Sequence, residues 1–266
     1  MKKNALLMLA FALISGLVTF SSCSKDDDYD SPATESVYLS HVEMVTVMPT
    51  TGDTLSYSTS NNTWEGGLLK KQNTEGTIKV AGLKSQINIG HLFTYSGKNC
   101  IEIRTTDGNT VNTFTYDANG RITSATKKAM NAANTVYTQV FQIKAYTNDG
   151  FIQQMEETYT IEDDTRKVSY DLTWKNGDLV KYTVHSIEPA KEDVTYEVQY
   201  DTYPSIYTGY PMAHSIFEGP IGLCYRCSSH NPVSLGESYK YKNGRVVRSV
   251  NGNTTAKYSY TDGTKE

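Results

Sequence analysis

The chain has 266 residues, of which 38% are hydrophobic and 20% are charged, and its formal net charge is −4. This length is sufficient for one all-β domain with a substantial core. Lysine and arginine form no cluster that could follow a phosphate backbone, so the composition argues against a nucleic-acid partner.

The first 22 residues have the features of an export signal. Lys2 and Lys3 are followed by an apolar stretch, Ala5–Phe20, and Cys23 comes directly after two serines. The apolar stretch is short for a membrane-spanning helix. The arrangement resembles a bacterial lipoprotein signal, in which a peptidase cuts before a cysteine that is then acylated with palmitate-type chains. This implies a signal peptide at residues 1–22 and lipidation of Cys23, and an ordinary secretory peptide is the alternative.

The next segment, residues 23–36, is acidic and contains Ser, Pro and Thr. Such a segment cannot bury enough apolar surface to fold, so we expect a flexible, solvated tether. Lys25, Asp26, Asp27 and Asp28 resemble the surface-export signal of Bacteroides-type lipoproteins. The resemblance implies display on the outer face of the outer membrane, and a spacer facing the periplasm is the alternative.

From Val37 onward, short alternating segments rich in Tyr, Thr, Val and Ile are separated by turns. This pattern predicts a single all-β domain over residues 37–266. The chain has 20 tyrosines and 7 phenylalanines. Tyrosine suits strands with one wet face, because its ring packs while its hydroxyl stays near water.

A recurring hairpin unit places an aromatic residue three or four positions before a glycine, at Gly120, Gly150, Gly177 and Gly244. Asn or Asp precedes each glycine, which is typical of a three-residue loop whose glycine has positive φ. At Gly120 this loop would pair Tyr116 with Ile122. These glycines are therefore turn residues rather than catalytic ones. Successive hairpins without crossover helices predict an antiparallel up-and-down meander that forms a strongly curved sheet or barrel-like form.

The hairpin at residues 175–177 allows its strand register to be predicted. A three-residue loop sets Leu172 opposite Val180 and, on the other face, Asp171 opposite Lys181. A two-residue loop would set Leu172 opposite Lys181 instead. The hydrophobic pattern therefore favours the longer loop.

The hairpins, the segments Tyr200–Pro204 and Ser229–Pro232, and the leader together resemble an uncharacterised family of Bacteroides-type surface lipoproteins. That family is a domain of unknown function described as having a porin-like antiparallel β fold. The similarity covers most of residues 76–262. It implies a fold and a location at the outer membrane, and it assigns no catalytic residue.

One stretch, residues 203–236, interrupts the hairpin rhythm. Its aromatic residues are Tyr203, Tyr207, Tyr210, Phe217 and Tyr225. A long excursion from a regular sheet is usually functional or disordered, and this one is too aromatic to be disordered. We expect it to plug or cap an open end of the sheet, with ligand binding by its rings as a possible second role.

Three cysteines remain besides the acylated one. In an oxidising compartment Cys224 and Cys227 could close a small disulfide loop and leave Cys100 as a buried thiol. His214 and His230 add ligand types that suit zinc, but their spacing matches no strong zinc pattern. We therefore predict no metal and no other cofactor.

No sequence motif indicates catalysis. The acidic pairs Glu156-Glu157 and Asp163-Asp164 are adjacent in sequence, and neighbouring strand residues point to opposite faces. The leading hypothesis is a non-enzymatic β scaffold, attached to the membrane through its lipid, that binds a glycan, a peptide or a partner protein. One alternative is a secreted-type hydrolase of an extracellular polymer, which a pair of inward-facing carboxylates in a cleft would favour. The other is a structural subunit of a cell-envelope assembly.

Overall fold

The computed structural model describes residues 37–80, 83–130, 134–188, 191–208, 210–262 and 264–265. The signal peptide, Cys23, the export signal at Lys25 to Asp28 and the acidic tether lie outside the described residues. Within the described part, no helix is long and apolar enough to cross a membrane.

The described residues form seventeen β-strands and two short helical segments. The strands are β1 Leu39–Val47, β2 Thr54–Glu65, β3 Leu68–Val80, β4 Leu83–Ser96, β5 Asn99–Thr105, β6 Thr110–Tyr116, β7 Ile122–Met130, β8 Val136–Tyr146, β9 Ile152–Ile161, β10 Asp164–Lys175, β11 Asp178–Glu188, β12 Val194–Glu197, β13 Tyr200–Pro204, β14 His230–Pro232, β15 Glu237–Lys242, β16 Arg245–Asn251 and β17 Thr254–Tyr260. A 3₁₀ helix spans Met212–Glu218, and an α-helix, α1, spans Gly219–Arg226.

Fifteen of these strands form one antiparallel sheet, which confirms the predicted meander. Strands β1 to β12 are neighbours in chain order, and β1 also pairs with β17, which continues through β16 to β15. The sheet therefore ends at β12 on one side and at β15 on the other. Strands β13 and β14 form a separate pair.

Burial alternates along the strands, as a half-buried sheet requires. In β6, Asn112 and Phe114 are buried whereas Thr113 and Thr115 are exposed. Residues directly opposite each other on antiparallel neighbours share a face. The buried positions of β1 to β11 and of β15 to β17 therefore define one inner face, which carries the core.

The hairpins at Gly120 and Gly150 have three-residue loops. The Asp117 N–H donates to the Arg121 carbonyl at 2.8 Å, and Tyr116 pairs with Ile122. Gly120 has a φ of 75° and Gly150 a φ of 85°. These left-handed conformations explain why glycine ends each loop.

The hairpin at Gly177 has a different geometry, and the three-residue loop predicted there is wrong. Asn176 and Gly177 have φ values of 53° and 84°, which is the two-residue type I′ turn. Val180 is then an extra residue in a bulge, because its neighbours pair across the hairpin while it does not. The bulge restores the alternation, so Leu172 faces Tyr182 and both remain on the inner face.

Two further predictions that assumed a three-residue loop are also wrong: the partner of Asp171 on the outer face, and the loop length at Gly244. Asp171 lies opposite Thr183, not opposite Lys181. In the last hairpin, Asn243 and Gly244 have φ values of 51° and 73°, so its loop also contains two residues. A sequence pattern that shows the turn residues does not show the bulge that follows them.

Residues 203–236, which we call the plug, pack against the inner face of the sheet. Ile216 and Leu223 are fully buried, and Phe217 lies against Phe114 and Phe141. The 3₁₀ helix contacts β5, β7 and β8, whereas α1 contacts β11. The sheet therefore curves around the plug, which supplies the second layer of the core.

Two glycines allow the helical part of the plug to turn compactly. Gly219 has a φ of 62° where the 3₁₀ helix ends, and Pro220 follows it at the start of α1. At Gly222, a Cβ atom would collide with the Ser215 carbonyl oxygen. The absence of a side chain at Gly222 therefore permits close packing of α1 on the 3₁₀ helix.

The β13–β14 pair bridges the space between the two ends of the large sheet. On one side, the Tyr200 hydroxyl of β13 donates to the Leu179 carbonyl in β11 at 2.9 Å. On the other side, the Tyr239 hydroxyl of β15 donates to the Pro232 carbonyl at 3.0 Å. The pair therefore makes hydrogen bonds with the strands on both sides.

Candidate functional site

The five aromatic residues predicted to bind a ligand lie in different environments. Tyr210 is only 1% exposed and Phe217 is buried, whereas Tyr207 and Tyr225 are half-buried. Tyr203 is 41% exposed and stacks on Tyr241, with ring centroids 4.0 Å apart. The burial of most of these rings agrees with a plug, and their role in binding stays a prediction.

The cysteines of the plug are buried thiols. Cys224 lies in α1 and Cys227 is its C-cap residue, and the disulfide considered for them is not formed in this structure. Burial raises the pKa of Cys224 and of Cys100 to about 12. Thiols protonated to this extent are poor nucleophiles at neutral pH.

Among the residues that the structure describes, no group of three or more His, Cys, Asp or Glu side chains could hold a metal ion. His230, considered as a zinc ligand with His214, instead contacts Asp178. Its Nδ1 lies 2.8 Å from the Asp178 carboxylate, and its backbone N–H donates to the same group at 3.0 Å. The contact fixes the end of the plug to the β10–β11 hairpin.

A row of polar residues crosses the inner face of the sheet beside the plug. Asn112 pairs with Lys127, Lys127 pairs with Gln139, and Gln139 pairs with Tyr159, so all four share one face. Gln139 Nε2 donates to the Phe217 carbonyl of the plug at 3.3 Å. This bond identifies the face as the inner one.

We use the name cup for this row of inner-face residues together with three side chains beside it, Tyr137, Glu157 and Glu218. Its members are Asn112, Lys127, Tyr137, Gln139, Glu157, Tyr159 and Glu218. All except the buried Asn112 are partly exposed, so the cup is in contact with solvent.

Each charged side chain of the cup interacts with a neighbouring side chain. Burial lowers the pKa of Lys127, and the nearby Glu218 carboxylate opposes that effect. Glu218 also forms a 2.7 Å salt bridge with Arg226 of α1. Glu157 accepts hydrogen bonds from Gln139 at 2.7 Å and from the Tyr170 hydroxyl at 2.5 Å.

Asn112 differs from its neighbours because its side chain is buried without full hydrogen bonding. The residue is 3% exposed, and its Oδ1 atom has no hydrogen-bond partner in the described part of the chain. A buried acceptor left in this state costs about 1–3 kcal/mol. Such exceptions are informative, because nearly all buried polar groups are satisfied.

One wall of the cup is aromatic. The rings of Tyr137 and Tyr159 have centroids 5.4 Å apart and planes inclined by 34°. Lys127 Nζ lies 5.8 Å from the centroid of Tyr137, within the range of a cation–π contact. The cup therefore combines flat rings with amide and carboxylate groups, which is suited to binding a small polar molecule or chain end.

The outer face of the same strands carries a shallow groove, lined in part by Lys144, Gln154, Glu156, Asp171 and His185. Lys144 and Glu156 form a 2.7 Å salt bridge. The two ring nitrogens of His185 lie 3.0 Å from the Asp171 carboxylate and 2.8 Å from that of Asp193. These carboxylates raise the pKa of His185. Paired charges of this kind are typical of a surface in contact with water.

Sequence reasoning missed the cup. The sequence indicates that Glu156 and Glu157 point to opposite faces, but it does not show that Glu157 is the inward-facing residue of the pair. Lys127 was detectable in principle, because it interrupts an alternating run of inward residues between Ala125 and Ala129. A lysine at an inward position is rare unless it has a partner.

No protein-family model and no curated protein matches the chain. Among solved structures, it is similar to a porin-like protein from Bacteroides uniformis ATCC 8492, with a TM-score of 0.52 and 14% identity over 84% of this chain and 97% of that one. A porin-like protein from Bacteroides vulgatus ATCC 8482 matches with a TM-score of 0.38 and 10% identity over 63% of this chain and 100% of that one. The first similarity shows the fold, and it agrees with the porin-like β fold that the sequence resemblance implies.

Proposed function

We propose that this chain is a lipid-anchored protein of the outer membrane, displayed at the cell surface, that binds a ligand or partner in the cup. Acylated Cys23 is the anchor, and Lys25 to Asp28 direct export. The leader supports the anchor, and the porin-like fold shared with a Bacteroides protein is consistent with the location. The proposal involves no cofactor and no nucleic acid.

The observation that carries the binding role is the position of the plug. Ile216 and Leu223 are 0% exposed in the middle of the inner face, and Phe217 packs on two strands. The plug fills this part of the inner face with apolar side chains. The cup, beside the plug, is a polar and partly exposed part of the same face, which a ligand could reach.

The outer face supports attachment through lipid. Lys144, Glu156 and Asp171 lie on this face and form ion pairs or hydrogen bonds along it. Charged side chains on a lipid-facing strand cost up to about 2–4 kcal/mol each. These charges support a water-facing position for this part of the sheet, and an acylated cysteine would supply the membrane contact.

The hydrolase alternative has weaker support. Glu157 lies on the inner face of the sheet and Glu218 belongs to the plug that packs on this face, so the cup does contain two carboxylates on the inner side. Each of them, however, is already engaged, Glu157 by Gln139 and Tyr170 and Glu218 by Arg226. Carboxylates held by such partners suit positioning and binding better than proton transfer.

Anchoring is tested by fractionation and by protease treatment of intact cells. Cys23→Ala should release the protein from membranes, whereas Cys100→Ala, a cysteine replacement in the folded body, should not. Alanine at Asp26, Asp27 and Asp28 should leave the protein in membranes but protect it from external protease. Retention of the Cys23→Ala protein in membranes would contradict the proposed anchor.

A further inference from the structure

We infer that the cup takes a neutral sugar chain, one unit of which lies against Tyr137 and Tyr159 while a hydroxyl of a neighbouring unit donates to Asn112. This inference rests on the proposed binding role of the cup. It adds the chemical class of the ligand.

The first step concerns Asn112. Its Oδ1 atom is buried and lacks a hydrogen-bond partner, while its strand neighbours on the same face are Ile103 and Lys127. A free carboxylate ligand could not satisfy an acceptor, since it has no proton to donate. A hydroxyl group can donate to Oδ1 and can also accept from a nearby cation such as Lys127.

The second step concerns the aromatic wall. Tyr137 and Tyr159 are partly exposed, and Tyr137 lies opposite the small residue Ala129 on β7. The apolar faces of a pyranose ring are flat and carry C–H groups, which suit stacking on tyrosine. Rigid aromatic rings provide this contact area at low conformational-entropy cost.

The third step concerns charge. The Glu218 carboxylate lies near Lys127 and forms a salt bridge with Arg226. At the far end of the same row, the exposed Arg166 lies 3.4 Å from the Asp164 carboxylate. The remaining carboxylate, Glu157, is held by Gln139 and Tyr170. The three cations Lys127, Arg166 and Arg226 and the three carboxylates Glu157, Asp164 and Glu218 balance in total charge, so a neutral ligand fits better than an acidic or a basic one.

The test uses the full-length protein, purified from membranes in a zwitterionic detergent that carries no sugar. Calorimetric titration with hexasaccharides of glucose, mannose, galactose and xylose is compared with titration with a galacturonate hexasaccharide. At least one neutral hexasaccharide should bind, and the uronate should bind more weakly. Binding to the uronate alone, or to none of the neutral hexasaccharides, would overturn the inference.

Variants distinguish a ligand group from a structural one. Asn112→Leu should weaken neutral-sugar binding roughly tenfold or more while leaving the melting temperature unchanged or higher, because it removes an unsatisfied acceptor. Asn88→Leu, the same change on an exposed residue of β4, should leave binding unaltered. Tyr159→Leu provides a second test of the cup, and it should also weaken binding. A lower melting temperature with unchanged affinity in Asn112→Leu would assign Asn112 a purely structural role and overturn the inference.

The binding role and the ligand class can fail separately. If cup variants abolish capture of a partner on intact cells but no neutral sugar binds, the ligand class is wrong and the binding role stands. If a neutral sugar binds but its affinity falls only in outer-groove variants such as Lys144→Leu, the binding role of the cup and the ligand assigned to it are both wrong.

Discussion

The ring of Tyr210 stands edge-on against the indole of Trp64, with centroids 5.0 Å apart and planes at 83°. The Tyr210 hydroxyl also accepts a hydrogen bond from Asn62 Nδ2. Trp64 and Asn62 belong to β2, whereas the helical part of the plug contacts β5 to β8 and β11. The plug is therefore held by strands from distant parts of the sheet.

Loss of the Tyr210 ring should destabilise the fold strongly. Tyr210→Ala leaves a cavity beside Trp64 and removes one of the hydrogen-bond partners of Asn62, so we expect the free energy of unfolding to fall by about 3–5 kcal/mol. Tyr203→Ala, at an exposed ring of the same segment, should cost about 1 kcal/mol or less. Urea denaturation of both proteins measures the difference. A loss for Tyr210→Ala no larger than that for Tyr203→Ala would contradict a core role for the Tyr210 ring.

Two turn glycines form a matched pair for a second prediction. Gly150 and Gly177 have nearly equal φ values of 85° and 84°, so alanine strains both turns by roughly 1 kcal/mol. At Gly150 a Cβ atom would meet open space, whereas at Gly177 it would collide with Ser229 Oγ. Gly177→Ala should therefore cost more, and Ser229→Ala should remove most of the excess in the double variant. An excess that persists without the Ser229 hydroxyl would contradict this explanation.

His91 should make the fold sensitive to acid. Burial lowers the pKa of His91 from 6.5 to about 4, an effect that the charge of Lys127 increases and that of Asp107 opposes. The unfolded chain takes up this proton near pH 6.5 and the folded chain only near pH 4. Stability should therefore fall as the pH decreases between these values, by up to roughly 3 kcal/mol. Denaturation of His91→Gln should show a smaller loss over this range. A loss as large as that of the parent would contradict the role of His91.

His185 should stabilise the fold more at low pH than at high pH, which is opposite to the effect of His91. Hydrogen bonds to Asp193 and Asp171 raise its pKa above 6.5 in the folded protein. Its contribution is complete below the unfolded pKa and is lost as the pH rises through the folded pKa. The melting temperature of His185→Asn should therefore differ more from that of the parent at about pH 5.5 than at about pH 9. A difference independent of pH would indicate that the contacts do not depend on the charge of His185.

Local signals explain which parts of the fold could be predicted. The alternating strands and the glycine turns act over a few residues, and the loop at Gly120 follows from them. The hairpin at Gly177 could not be derived in this way, because the bulge at Val180 satisfies the same hydrophobic pattern as a longer loop. Helix α1 contains only eight residues, Gly219–Arg226, which is too short for helical periodicity to be evident.

The cup could not be predicted because it is assembled across distant segments. Asn112, Lys127 and Gln139 meet through strand register, and Glu218 reaches them from the plug. Register depends on every turn and bulge between these strands, so one misplaced bulge would reverse the face of each residue. The excursion could be recognised from composition, but its contacts with the inner face depend on tertiary packing.

The most direct measurement of the binding role is site-specific photo-crosslinking on intact cells. The photoreactive residue p-benzoylphenylalanine is placed at Tyr159 in the cup or at Thr158, its neighbour on the opposite face of β9. The account predicts a specific adduct from position 159, lost on addition of Asn112→Leu, and none from position 158. An adduct from position 158 alone, or no adduct from position 159, would contradict binding in the cup.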